Sequence, residues 1–342
     1  MIDFRYHLVS IVAVFLALGL GILLGATALQ PSALKVLVST SQQERKQIDS
    51  VIATNGQQRS QIASNDDWAQ AAAPLLLRQL LAGEQVVLVE APGAPGQVVS
   101  GITQMLAEAG ATVSGQVELS SKFFDASPPT QEQLGQLAQQ FALGQTLASG
   151  SAISQASQVL AGAILTRDGP GQPVAGQRDS ASAALLSGFA AGGFLTISGH
   201  PNARATLAVV VSPGNPAPNT VSQGLVTFAQ ALNLAGQGTV VAGTAQGSGP
   251  GSAIDLLRAA SQAGHLSSVD NADHVVGQIT VAQALADLLR GVSGNYGALS
   301  SAGAAGPSPA PTPSATPTAS LPASPGARSS RASPSAVGVG KS

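Results

Sequence analysis

The hydrophobic pattern of the chain begins with one long apolar segment. No charged residue occurs from position 8 to position 29, and a helix of that length extends roughly 33 Å, enough to cross a hydrocarbon core of about 30 Å. The pattern therefore predicts a cytoplasmic N-terminus over 1–7 and a transmembrane anchor over 8–29. The triplet Ala26-Thr27-Ala28 also fits a cleaved signal peptide, but the apolar core of such a peptide normally spans only about 7–15 residues. An uncleaved anchor is the preferred prediction.

Two glycines in this segment, Gly21 and Gly25, have the spacing that lets membrane helices approach closely. Glycine is also common in membrane helices that stay alone. The pair therefore predicts helix packing and a homo-oligomer through the anchor, with an unpaired helix as the alternative.

The next segment, 30–79, is polar and helix-forming, and its few apolar positions follow a heptad spacing. These positions are Leu34, Leu37, Ile48, Val51 and Ile62. Ser41 and Asn55 occupy the same seam, so the pattern predicts a sparsely filled coiled coil through which, as through the anchor, the homo-oligomer would form. A single amphipathic helix lying on the following domain explains it almost as well.

Over 84–297 the pattern changes to short apolar runs that alternate with helical stretches. "QVVLVEAPGAPGQVVSGITQMLAEAGATV" reads as strand, Pro-Gly turn, helix and strand, and "ATLAVVVSPGNPAPNTVSQGLVTFAQALNLAGQGTVV" repeats that order. Such alternation predicts βαβ units and a buried, mostly parallel sheet. The expected class is thus an α/β, Rossmann-like body, and the two similar stretches suggest duplicated halves.

The last segment, 298–342, is rich in Pro, Ser and Ala and predicts a disordered tail that suits an extracellular stalk. The basic residues Lys35, Arg45 and Lys46 follow the anchor, whereas only Arg5 and the amino terminus precede it. This count disfavours an external body, but long domains cross a membrane largely regardless of nearby charge. We therefore predict a single-pass plasma-membrane protein with an extracytoplasmic body, or alternatively one in an outer envelope layer.

Composition excludes several classes of function. The net charge of −2 and the absence of a basic, aromatic cluster give no indication of nucleic-acid binding. Since the chain has no cysteine, it has neither disulfides nor a thiol nucleophile.

No catalytic or nucleotide-binding motif is found. The turn "APGAPGQ" lacks the glycine spacing and the lysine of the phosphate-binding loops, and no G-x-S-x-G elbow occurs. The four histidines lack the H-E-x-x-H spacing, so we predict that the chain is not an enzyme and carries no resident cofactor.

One short stretch, "HLSSVDNADHVVGQ", is denser in polar chemistry. His265, Asp270, Asp273 and His274 lie within ten residues and are ligand types that copper or another divalent ion accepts. They are the candidate metal ligands. Asp and Asn also stabilise turns after strands through their own backbone, and this is the structural alternative.

These features together resemble an actinobacterial family named for mycobacterial copper transport protein B, with relatives among SteB-type cell-division factors. The resemblance covers roughly 1–297 and excludes the Pro/Ser tail. Its motif residues here are Phe4, Arg5 and His7 at the N-terminus, and Ser268, Val269, Asp270 and Asn271 before "GNYG".

The resemblance implies a cell-envelope protein of copper transport, efflux or homeostasis, described as a channel. The residues fit direct copper(I) binding poorly, because copper(I) prefers thiolate and thioether ligands and only Met1 and Met105 supply sulfur. The alternative is a non-enzymatic scaffold that docks an envelope partner in cell division or peptidoglycan remodelling.

Overall fold

The computed structural model describes residues 4–142, 147, 149–167, 169–260 and 266–308, and for 27–39 it describes the backbone alone. His265 and the tail from 309 onward, predicted to be disordered, lie outside the described residues. The first compact unit ends at Pro307, so it extends past the predicted boundary at 297.

One helix, α1, begins at Phe4 and ends at Leu76. Its first 23 residues, Phe4–Ala26, have a mean hydropathy of 2.7, which confirms the apolar N-terminal helix. Among the described residues it is the one helix long and apolar enough to cross a membrane. The predicted spacer is a continuation of the same helix, and we call 40–65 the stalk.

The sparse apolar positions of the stalk lie on the same helix face that, closer to the C-terminal end of α1, packs against the body. Ile48 and Ile62 are exposed, and steps of three and four residues continue their face to Ala69, Ala73 and Leu77. The last three side chains are fully buried against the body. The helix therefore lies on the body only over its final turns, and the coiled coil stays a prediction.

The body contains seven strands and seven further α-helices among the described residues. Its strands are β1 (Gln85–Glu90), β2 (Thr112–Leu119), β3 (Leu195–Gly199), β4 (Leu207–Val211), β5 (Gly238–Ala242), β6 (Leu266–Val269) and β7 (Asn295–Tyr296). Its helices are α2 (Gly96–Glu108), α3 (Pro128–Gln140), α4 (Ala152–Ile164), α5 (Ser180–Ala191), α6 (Asn219–Ala235), α7 (Ala253–Ala259) and α8 (Val275–Leu289).

The strands form one sheet in the order β3-β2-β1-β4-β5-β6-β7. Every neighbouring pair is parallel except β2 with β3, so the mostly parallel sheet is confirmed. From β1, the next strands in the chain, β2 and β3, lie toward one edge of the sheet; from β4, the next strands, β5 to β7, lie toward the other edge. This central pair is thus the point at which the topology switches, where open α/β sheets usually bind ligands beyond the strand ends.

Alternate side chains of the central strands fill two cores, one on each face of the sheet. Val87 and Val89 pack with α3 to α7, whereas Val86 and Leu88 pack with α1, α2 and α8. Since both faces are covered, the strands are continuous apolar runs. This arrangement explains why the sequence shows no polar alternation there.

The two similar sequence stretches form β1-α2-β2 and β4-α6-β5, each a parallel βαβ unit next to the central pair. Helix α2 packs on one face and α6 on the other. Duplication stays a prediction, because βαβ units of one handedness arise in any doubly wound sheet.

Candidate functional site

The polar motif singled out in the sequence lies at the carboxyl edge of the sheet, the edge at which the parallel strands end. Ser268 and Val269 end β6, and Asp270 and Asn271 begin the turn into α8. The segment "GNYG" forms β7 beside it, with Ser268 paired to Asn295 and Val269 to Tyr296. The two sequence blocks are therefore direct neighbours.

A buried ion pair joins this motif to α7. The Arg258 Nη1 atom lies 2.8 Å from Asp270 Oδ2, and their side chains are 4% and 0% exposed. Asp270 Oδ1 also accepts a hydrogen bond of 2.7 Å from the backbone N–H of Ala298. Both carboxylate oxygens are thus occupied by donors within the fold.

The guanidinium of Arg258 makes three further contacts that hold β7 in place. It donates to Ser268 Oγ at 2.9 Å, to the Tyr296 carbonyl at 2.8 Å and to Ser301 Oγ at 2.8 Å. Gly297 has a φ of +137°, and a Cβ at this position would overlap the Asp270 carboxylate. The motif therefore builds a satisfied polar network at the end of the sheet.

A second polar contact connects α1 to the same edge. Asp66 Oδ2 lies 3.1 Å from His274 Nδ1, and Asp66 Oδ1 accepts a 3.1 Å hydrogen bond from the Val275 N–H. Because α8 has no side-chain cap of its own, Asp66 supplies the negative charge that a helix N-terminus favours. Asp273 lies on the other side of the imidazole, 3.8 Å from Nε2.

The predicted metal ligands do not share one centre among the described residues. Asp270 is committed to Arg258, whereas the two nitrogens of His274 face separate carboxylates. Within the described part of the chain, no group of three His, Asp or Glu side chains is placed to hold a metal. Since His265 lies outside it, the four-residue set stays a prediction.

Two ionisable groups near the strand ends have shifted pKa values. Burial, with a smaller contribution from Glu118 on the next strand, raises the pKa of Glu90 above 4.5. Burial and the neighbouring Asp287 raise the pKa of the Tyr296 phenol above 10.0. The first shift disfavours a carboxylate at the end of β1, and the second keeps the phenol protonated.

A cleft of about 800 Å³ opens at the switch point. The segments after β1, β2 and β4 line it, with Pro92, Lys122, Asp125, Asn215 and Pro216 among its residues. Its volume is in the range of small-ligand sites.

The two charged groups of this cleft are held by the protein itself. Lys122 Nζ donates to Gln133 Oε1 and to the Gly192 carbonyl, at 2.9 and 2.8 Å. Hydrogen bonds, first that of Ser127, lower the pKa of Asp125 below 3.8. The remaining lining residues that the structure describes are uncharged.

The other predicted residues lie far from this edge, in the apolar helix. Phe4, Arg5 and His7 occupy its first two turns and are exposed. A Cβ added at Gly21 or Gly25 would meet no atom within 4 Å. The structure thus leaves space beside both glycines, and helix packing through them stays a prediction.

Sequence reasoning missed Arg258 and Asp66. Arg258 was detectable only as an isolated basic residue on a short helix. Asp66 is 208 positions from His274, and no local pattern indicates their contact.

In the part of the chain that the structure describes, these features define a class of protein with one membrane-length helix, a helical stalk and a doubly wound α/β body. Residues 1–307 match the model of the family described as "Copper transport outer membrane protein, MctB". The chain belongs to this family, which confirms the resemblance inferred from the motifs.

Named relatives come from mycobacteria. The protein called Copper transporter MctB of Mycobacterium tuberculosis (strain H37Rv) is 31% identical over 314 residues, 87% of this chain and 96% of that protein. The protein of the same name in Mycobacterium bovis gives the same values. That of Mycobacterium leprae is 29% identical over the same shares. These names describe transporters rather than enzymes.

Proposed function

We propose that this chain is a membrane-anchored cell-envelope protein that takes part in copper transport and homeostasis. The family description and the names of the relatives support the copper role. The structural observation that carries the anchoring role is α1, an apolar segment that continues as a stalk and docks on the α/β body. Copper in this proposal is cargo rather than a resident cofactor.

The proposed topology has the N-terminus in the cytoplasm and the body outside the plasma membrane, with an outer envelope layer as the alternative. A protease-sensitive tag at the C-terminus of intact cells tests it. Digestion without lysis is expected, whereas a protected tag contradicts an external body.

A copper path through the membrane requires more than one copy or a partner. A single helix encloses no pore, and Met105, one of the two methionines, is fully buried in the body core. We therefore propose that anchors assemble through Gly21 and Gly25, the residues that permit close helix approach. A channel, in this proposal, is a property of the assembly.

The matched test replaces glycines on opposite sides of the anchor. A deletion strain should be copper-sensitive, and the full chain should restore tolerance. The variant Gly21→Leu/Gly25→Leu should fail to restore it, because bulky side chains separate the helices. Gly19 is about 200° around the helix from Gly21, so Gly19→Leu should restore tolerance fully. Unchanged copper tolerance in the deletion strain would remove the transport proposal.

The metal prediction is tested with copper(II) titrated onto the full chain by calorimetry. Loss of binding in Asp273→Asn/His274→Ala, but not in Asp67→Asn, supports ligation by these side chains. Equal binding in both variants rules it out.

A second candidate function is that of a scaffold for an envelope partner in cell division or peptidoglycan remodelling. The cleft at the switch point favours it, because this surface is not filled by the chain's own side chains. Cell length and septum morphology of the deletion strain separate the two. Normal division together with copper accumulation excludes the scaffold.

A further inference from the structure

The docked turns of α1 run along the sheet in a fixed direction. Asp66 contacts the start of α8 at Val275, and α8 starts at the carboxyl edge because it follows β6. Eleven residues later, Leu77 is buried in the core of this face. The chain then reaches the opposite, amino edge, since the Leu81 N–H donates to the carbonyl of Ala109 at the end of α2.

The anchor consequently lies on the side of the carboxyl edge. Helix α1 is continuous from Phe4 to Leu76, so the part before Asp66 projects beyond the edge at which the parallel strands end. The forty helical steps from Ala26 to Asp66 span about 60 Å.

We propose that the body is held with the carboxyl edge of its sheet toward the membrane, so that the switch-point cleft opens into the gap spanned by the stalk. This inference rests on the proposed function only for the insertion of the apolar helix.

The described loops at this edge carry no basic cluster that would bind a lipid surface. The segments after β1 and β4, "APGAP" and "SPGNPAPN", carry no charge, and the nearby Lys122 and Asp125 are held by neighbours. Anionic lipids attract clusters of basic residues, and this edge has none in the described segments. The described edge therefore offers no basic cluster that would draw it onto the lipid surface, and in this inference α1 sets its position relative to the membrane.

Spin-label distances in the full chain in lipid nanodiscs test the orientation. The chain has no cysteine, so paired substitutions introduce the only labels. Glu44→Cys in the stalk is the common reference. It is combined with Asn215→Cys at the carboxyl edge or, as the matched control, with Ala107→Cys near the amino edge. All three positions are exposed.

The Glu44–Asn215 distance should be shorter than the Glu44–Ala107 distance by about 15 Å, the approximate length of a five-residue strand. Equal or reversed distances would overturn the inference, as would two broad distributions, which would mean that the body swings freely on the stalk. Either result leaves the copper role intact. Extraction of the chain from membranes by carbonate would instead remove the anchor on which the proposed function depends.

Discussion

Replacing Asp270 by Asn removes one charge from the buried pair and leaves the Arg258 guanidinium without its counter-ion. The pair is nearly inaccessible to water, at 4% and 0% exposure. Its carboxylate accepts from a backbone N–H as well as from the arginine, so the new amide group would face donors. Breaking a buried pair from one side costs about 3–5 kcal/mol, which is a large part of a typical domain stability of about 5–15 kcal/mol.

The measurement is urea unfolding of the full chain in detergent micelles, read by pulse proteolysis of the body. A loss of about 4 kcal/mol, with a slope of about 2 kcal/mol per molar urea, moves the midpoint down by about 2 M. The control is Asp273→Asn, the same substitution three positions away on a side chain that is 38% exposed. Its midpoint should change by no more than the equivalent of about 0.5 kcal/mol.

A double variant separates the unpaired charge from other effects. Arg258→Met/Asp270→Asn removes both charges and should be more stable than Asp270→Asn alone, since no uncompensated ion remains. If Asp270→Asn behaves like Asp273→Asn, water reaches the guanidinium and the motif is not a structural network.

Three further substitutions test other parts of the carboxyl edge. Burial raises the pKa of Glu90 above 4.5, so the ionised carboxylate lowers the stability of the folded state. Glu90→Gln should therefore raise the urea midpoint at pH 7. This gain should vanish as the pH falls below about 4.5, because the Glu90 carboxyl is then protonated in both the folded and the unfolded state. Asp66→Ala should cost about 1 kcal/mol as a lost cap and speed amide exchange in the first turn of α8, whereas the exposed Asp67→Ala should change neither. Gly297→Ala should lower the urea midpoint more than Gly291→Ala does. Both glycines have a positive φ, but only a Cβ at position 297 would overlap the Asp270 carboxylate. Equal losses would contradict this steric overlap.

The anchor and the class of fold followed from local patterns. The uncharged run that ends near Leu29 is long enough for a membrane, and apolar runs such as Gln85–Glu90 alternate with helical periods. These signals depend on neighbouring residues alone, and hydrophobic burial then forces the runs into a covered parallel sheet. The end of the body has no comparable local signal, since the residues after Gly297 are held by contacts with Asp270 and Asn295, and their composition resembles that of the tail.

The sequence by itself determined an apolar N-terminal helix, a polar helix and an α/β body without thiol chemistry. It also singled out "SSVDNAD", but not what the motif does. Only the tertiary structure decided that Asp270 meets Arg258, that Asp66 caps α8, and that the cleft lies on the side of the anchor. These contacts join residues that are far apart in the sequence. Which of them meet is set by how the strands and helices pack together, and the spacing of residues within one segment does not indicate it.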